Sequence, residues 1–184
     1  MAEKDAEHWA DLYLKEFGKE SDRASVILSA VMLDTALESL LKTFLVPLAS
    51  SEDNLLEGAN APISSFSARI DLTHRLGLIS ATFCRDLHII RRIRNDFAHN
   101  VANCSFNDSA VRTRVIELAR SSRLYERFPA ERKIFVEGIK GDFQMHVSWM
   151  LWYLWDLSGK VQSLNAPNLE WGYDLSFKVE KPPK

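Results

Sequence analysis

A chain of 184 residues that is 46% hydrophobic and has a formal net charge of -2 is too apolar to stay disordered and long enough to bury a core, so one globular domain is expected over residues 1–164, with an extended tail over 165–184. The opening "MAEKDAEHW" has no basic stretch leading into an apolar run, and the longest apolar block, "WMLWYLW" at 149–155, is too short to cross a bilayer; neither a secretory signal nor a membrane span is expected. Cys84 and Cys104 form no CxxC and have no His pair nearby at metal spacing, which argues against a disulfide framework and a zinc site and for a reducing cytosol, with no metal or cofactor.

The periodicity is helical along nearly the whole chain. Residues Lys4 to Phe17 form a short amphipathic pattern closed by Gly18. From Ser21 to Val46 apolar residues recur at Val26, Ala30, Leu33, Leu37, Leu40 and Phe44, flanked by Ile27, Leu41 and Leu45, which predicts a long core helix ended by Pro47. The run "LASSEDNLLEGANAP" is loop-like. Ser65 is a suitable N-cap for a helix to Leu76, with Gly77 just past its end, and Ser80 caps the next, which runs through His88 to Asn100. Asp108 to about Arg123 predicts another helix, and Ala130 to Gln162 one or two more, weakened at Gly138 and Gly141. Only "YDLSFKV" in the tail alternates like a strand. The expected fold is therefore all-α, an antiparallel helical bundle of about six helices.

Charge is distributed unevenly. Residues 1–60 hold 5 Lys or Arg against 12 Asp or Glu, whereas residues 69–133 hold 13 against 7 and contain 12 of the 13 arginines. Arginine makes forked contacts with phosphate, so the bias points to an anionic partner; the alternative is that the arginines are solvated or pair with the acidic N-terminal third. The stretch "HIIRRIRNDFAHN", His88 to Asn100, is the densest part. At about 100° per residue, Leu87, Ile89, Ile90, Ile93 and Phe97 share one side of its helix, while His88, Arg91, Arg92, Asn95 and His99 share the other and Arg94 sits at the border. Arg69 and His74 have the same spacing as Arg94 and His99 but lie on a buried amphipathic pattern with Ile70 between them. Asp34 and Glu38, one turn apart in an apolar helix, either pair with the Arg94 cluster or face solvent. The aromatic run Trp149, Trp152, Tyr153 and Trp155 fits a core or dimer contact better than a base-stacking platform.

The segment "RNDFAH", Arg94 to His99, resembles the R-x4-H signature of the HEPN superfamily, in which Arg is commonly followed by a polar residue, here Asn95. The wider run from Pro62 to Asn100, with "AVMLDTALESLLKTFL" upstream, resembles the mannitol operon repressor (MltR-like) family. The likeness covers roughly residues 22–120 and implies a HEPN/MltR-like helical core over about 22–160. For active HEPN domains it implies metal-independent RNA cleavage, with Arg94, Asn95 and His99 as catalytic residues and a composite site across a symmetric dimer. The chemistry is intelligible: a ribose 2′-OH attacks the adjacent phosphate, His99 serves as general acid or base, and Arg94 holds the developing charge. Arg94 and His99 point about 140° apart on an ideal helix, so two copies of the helix are needed to aim both at one phosphate. His88, Arg91 and Arg92 would contact the nucleic acid, and a homodimer is the expected assembly. Two further readings stay open. "LTHRLGLISATFCRDLHIIRR" contains a helix, a Gly77 turn and a second helix bearing Arg85, His88, Arg91 and Arg92, as an operator-DNA regulator would; a noncatalytic domain that docks a partner protein is the other.

Overall fold

Ser21 starts the first helix, α1 (Asp22–Phe44), because its extended backbone lets the hydroxyl accept the Ala24 N–H at 3.2 Å. Most of the predicted stripe is buried: Val26, Ala30, Leu33, Leu37 and Leu40 lie in the core with Leu41, while Phe44 at its end and the flanking Ile27 and Leu45 are half-buried. The helix stops at Phe44 with Leu45 extended, two residues ahead of Pro47, which itself disfavours helical geometry at Val46. In the computed structural model, residues 17, 19–48, 52–100, 104–123, 126 and 138–166 are described. The helix expected over Lys4 to Phe17, the 130–137 part of the last helical segment and the alternation in "YDLSFKV" lie outside them.

Four more helices follow: α2 (Phe66–Arg75), α3 (Ala81–His99), α4 (Ser109–Ser122) and α5 (Ile139–Ser158). Ser65 and Ser80 cap α2 and α3 through the Ala68 and Phe83 N–H groups. Gly77, at φ +74, lets Leu78 donate to Thr73 O and Gly77 itself to His74 O, the paired bonds that close a helix on a left-handed residue and turn α2 into α3. α5 begins at Ile139 with Gly138, at φ 94, as its N-cap, one of the two glycines at which the expected segment is weakened.

The fold is an all-α bundle, with five helices and no strand among the described residues. α3 lies against α1, α2 and α4, and α5 lies against α1 and α4. Contacts between ends fix the directions. Arg23 near the start of α1 reaches Phe97 O and Asn100 O at the end of α3, so these two run antiparallel. Asp96 pairs with Arg114 and Asp86 with Ser121, so α3 and α4 are also antiparallel. By contrast, Lys140 meets Asp22, Gln144 meets Ser25 and Ser158 meets Thr43, so α1 and α5 run in the same direction. Phe97, Phe106 and Phe143 stack at 5.6 and 5.3 Å and tie α3, the loop before α4 and α5 into one core. α1 is long and apolar enough to cross a membrane, with mean hydropathy 1.6, but half of that apolar window is buried against its neighbours.

Asp34 and Glu38 do not face the Arg94 cluster. Both are held by Arg69 of α2, at 2.8 Å each, and the same guanidinium donates to Ile63 O and Leu56 O. The reason is position: Arg69 is the arginine that α2 carries under the loop before it, and five N–H donors match two carboxylates and two loop carbonyls. The R-x4-H look-alike at Arg69 and His74 is accordingly structural, with His74 Nδ1 bonded to Ile79 O at 3.1 Å. Arg69→Leu strands Asp34 and two carbonyls and leaves Glu38 with Lys42 alone. Because Asp34 and Glu38 keep 28% and 24% exposure, the expected loss is about 2–4 kcal/mol, at or below the range for a fully buried pair; urea denaturation checks it.

Candidate functional site

The buried face of α3 consists of Leu87, Ile89, Ile90, Ile93 and Phe97 with Asp86 at its edge, so the sequence assignment of the two faces holds. On the other side Arg92, Arg94 and His99 are exposed, and His88, Arg91 and Asn95 half-buried. Arg94 donates to the Asn95 side-chain oxygen at 3.1 Å. No hydrogen bond joins Arg94 to His99 among the described residues, as their divergent directions require.

Asp96, the carboxylate inside the motif, is occupied by Arg114 of α4, which removes its negative charge from the Arg94 face. The last carbonyls of α3 have no helical partner, and Arg23 takes those of Phe97 and Asn100. Arg92 and Arg112 have no carboxylate partner among the described residues, and Arg91 Nε is buried without a hydrogen bond. His88 differs from the expectation of a free phosphate contact: its Nε2 lies 2.9 Å from Asp71 Oδ1 of α2. The C-terminal half of α3 thus presents Arg92 and His99 on one side, with half-buried Asn95 beside them and exposed Arg94 at the border, and none of the three charged or titratable groups pairs with a carboxylate among the described residues.

A second feature lies toward the other end of α3. Ser80, Thr82, Phe83 and Asp86, together with Ser121 and Ser122 from α4 and His146, Trp149, Met150, Trp152 and Tyr153 from α5, line an open cleft of about 520 Å³. Tyr153 packs on Phe83 at 5.0 Å, and Trp152 lies edge-on to Trp149 at 5.4 Å. The aromatic run of the sequence is therefore partly the wall of a cleft, while Tyr153 and Trp155 keep exposed surface. Asp86 lies about 12 Å along the helix from Arg94, at 1.5 Å per residue. Burial pushes the Asp86 carboxyl up, against the lowering influence of the Ser121 hydroxyl and Arg85. The nearness of Ser121 and His146 to Asp86 had no signal in the sequence, because it depends on how α4 and α5 each pack on the rest of the bundle.

No family model matches the chain and no curated protein matches it by sequence. Among solved structures it is similar to a chain of the MtlR–HPr complex from Escherichia coli, with a TM-score of 0.58 and 17% identity over 80% of this chain and 98% of that one. The fold class is therefore a helical bundle of the MtlR-like kind, in line with the sequence resemblance.

His146 yields a pH test. It is 3% exposed, its Nε2 has no partner among the described residues, and burial lowers its pKa from 6.5 to about 4. The neutral ring is thus favoured by folding. As pH falls below about 6.5 the unfolded chain takes up the proton first, so stability present at neutral pH is lost progressively down to about 4. The total is on the order of 3 kcal/mol. In His146→Phe the slope of unfolding free energy between these pH values flattens, whatever the absolute stability of the variant.

Proposed function

We propose that this protein is a single-stranded RNA-binding domain of HEPN type, in which the C-terminal end of α3 supplies half of a metal-independent endoribonuclease site completed by a second copy. The observation that supports the reading is the state of the motif: Arg94 and His99 are exposed, and the neighbouring carboxylate of Asp96 is turned to Arg114. Arg94 of one copy and His99 of the other would converge on a phosphate across the two-fold axis. His99 takes the 2′-OH proton as the hydroxyl attacks phosphorus, Arg94 neutralises the pentavalent oxygens, and the 5′-oxygen leaves with a proton drawn from water. Asn95 orients the Arg94 guanidinium through the 3.1 Å hydrogen bond already present. Arg91 and Arg92 extend the cationic path that the strand follows, and His88 borders it.

One observation favours a second reading, a noncatalytic domain that docks a partner protein: the similar chain was solved in a complex with HPr. An operator-DNA regulator is less well supported. α3 is flanked by α1, α2 and α4, so the second helix of the Gly77 hairpin leaves only a narrow strip for a major groove.

Purified protein is expected to retain single-stranded RNA at low salt and to lose it as salt rises, since phosphate contacts release counterions. In the presence of EDTA it is expected to cut that RNA and leave a 2′,3′-cyclic phosphate. His99→Ala and Arg94→Ala each lower the rate by roughly 10² to 10⁴, and mixing the two variants restores part of it through heterodimers with one intact site. Cleavage of a strand lacking the 2′-OH, dependence on magnesium, or full activity in His99→Ala overturns the catalytic reading. Absence of RNA retention alongside capture of a protein favours the docking reading.

A further inference from the structure

We propose that Asp71, Cys84 and His88 form a binding site for a zinc-class divalent cation that clamps α2 to α3. The inference is separate from the reading of the Arg94 to His99 end. One donor atom from each of the three residues lies within 4.8 Å of the other two. Cys84 and His88 are four residues apart on α3 and therefore project from one face, one turn above the other, the spacing by which helices present paired metal ligands. Asp71 comes from α2, brought back onto α3 by the Gly77 turn, and its Oδ1 already meets His88 Nε2 at 2.9 Å.

The chemistry of the donors selects the cation. A thiolate, an imidazole and a carboxylate form a borderline set suited to zinc and poorly suited to magnesium or calcium, which take oxygen. Zinc bonds of about 2.0–2.3 Å place tetrahedral ligands about 3.3–3.6 Å apart. The His88–Asp71 pair is slightly inside that separation, and no pair in the cluster has more than about 1.5 Å to close. Three protein ligands leave one position for water. Asp71 is 61% exposed, which gives an ion a path in from solvent.

The plain alternative is a His–Asp hydrogen bond beside a bystander thiol. Electrostatics argue against it as the whole account. The Cys84 thiol sits in the field of the Asp71 carboxylate, so a bound cation would meet a negative charge already at the spot and would convert the thiol to a ligand. The sequence carried half of the signal, Cys84 and His88 at helical spacing. It lacked the third ligand because Asp71 joins them only through the turn.

The test uses the full chain stripped with a chelator and titrated with cobalt(II), then with zinc(II). The expected result is one cobalt per chain, with a thiolate-to-cobalt charge-transfer absorption in the near ultraviolet, displaced by stoichiometric zinc, and a zinc-dependent rise in Tm. Cys84→Ser, nearly isosteric and read for folding by circular dichroism, loses the absorption and the rise in Tm, whereas Cys104→Ser keeps both. Asp71→Asn weakens cobalt binding by about 10-fold or more, since an anionic ligand becomes a neutral amide. No charge-transfer absorption in the wild-type chain, or its persistence in Cys84→Ser, overturns the proposal.

Discussion

The arrangement around α3 depends on how its C-terminal end is closed. The last carbonyls of a helix have no partner within it, and here a residue of another helix, Arg23 of α1, donates to those of Phe97 and Asn100. A cation at this end also opposes the negative pole of the helix. Because Arg23 sits one residue past the start of α1, the bond sets the two helices antiparallel and fixes the height at which the polar end of α3 emerges. Asp22, beside it, accepts the Phe106 N–H at 3.2 Å, so the same turn of α1 anchors the loop leading to α4. Asn95 and His99 therefore stand on a braced helix end.

The charge asymmetry resolves into two populations of arginine. Arg69 is internal and answers the acidic N-terminal third, through Asp34 and Glu38. Arg114 neutralises Asp96 within the central segment. Arg92 and Arg94 do neither: both are exposed, Arg92 on the same side of α3 as His99 and Arg94 at the border of that side. An uncompensated cationic strip costs self-repulsion, which a folded protein tolerates readily where a polyanion or an acidic surface is to be bound. This separation underlies the functional reading.

Local chemistry was legible in the sequence. Ser65 and Ser80 cap the helices assigned to them, Gly77 closes α2, and the buried and exposed sides of α3 fall where the helical period placed them. These features depend on neighbours within a few residues. What depended on long-range geometry was not legible. Asp34 and Glu38 had several possible partners, and the crossing of α1 with α2 chose Arg69. The aromatic run of α5 was assigned to a core or dimer contact, yet part of it walls a cleft, because α5 runs parallel to α1 and brings Trp149 and Tyr153 beside Phe83 and Asp86. His88 was read as free for phosphate, and Asp71 reaches it only once the hairpin has formed.

The measurement that bears most directly on the site is a nuclear magnetic resonance titration of the protein with a short single-stranded RNA, following the histidine rings and the arginine side chains. The account predicts saturable shifts at His99 and Arg94, with Arg92 following, and unchanged signals from His146 in the core and His74 beneath the α2–α3 turn. Shifts centred on the α5 cleft, or no shift at His99 at saturating RNA, would contradict it.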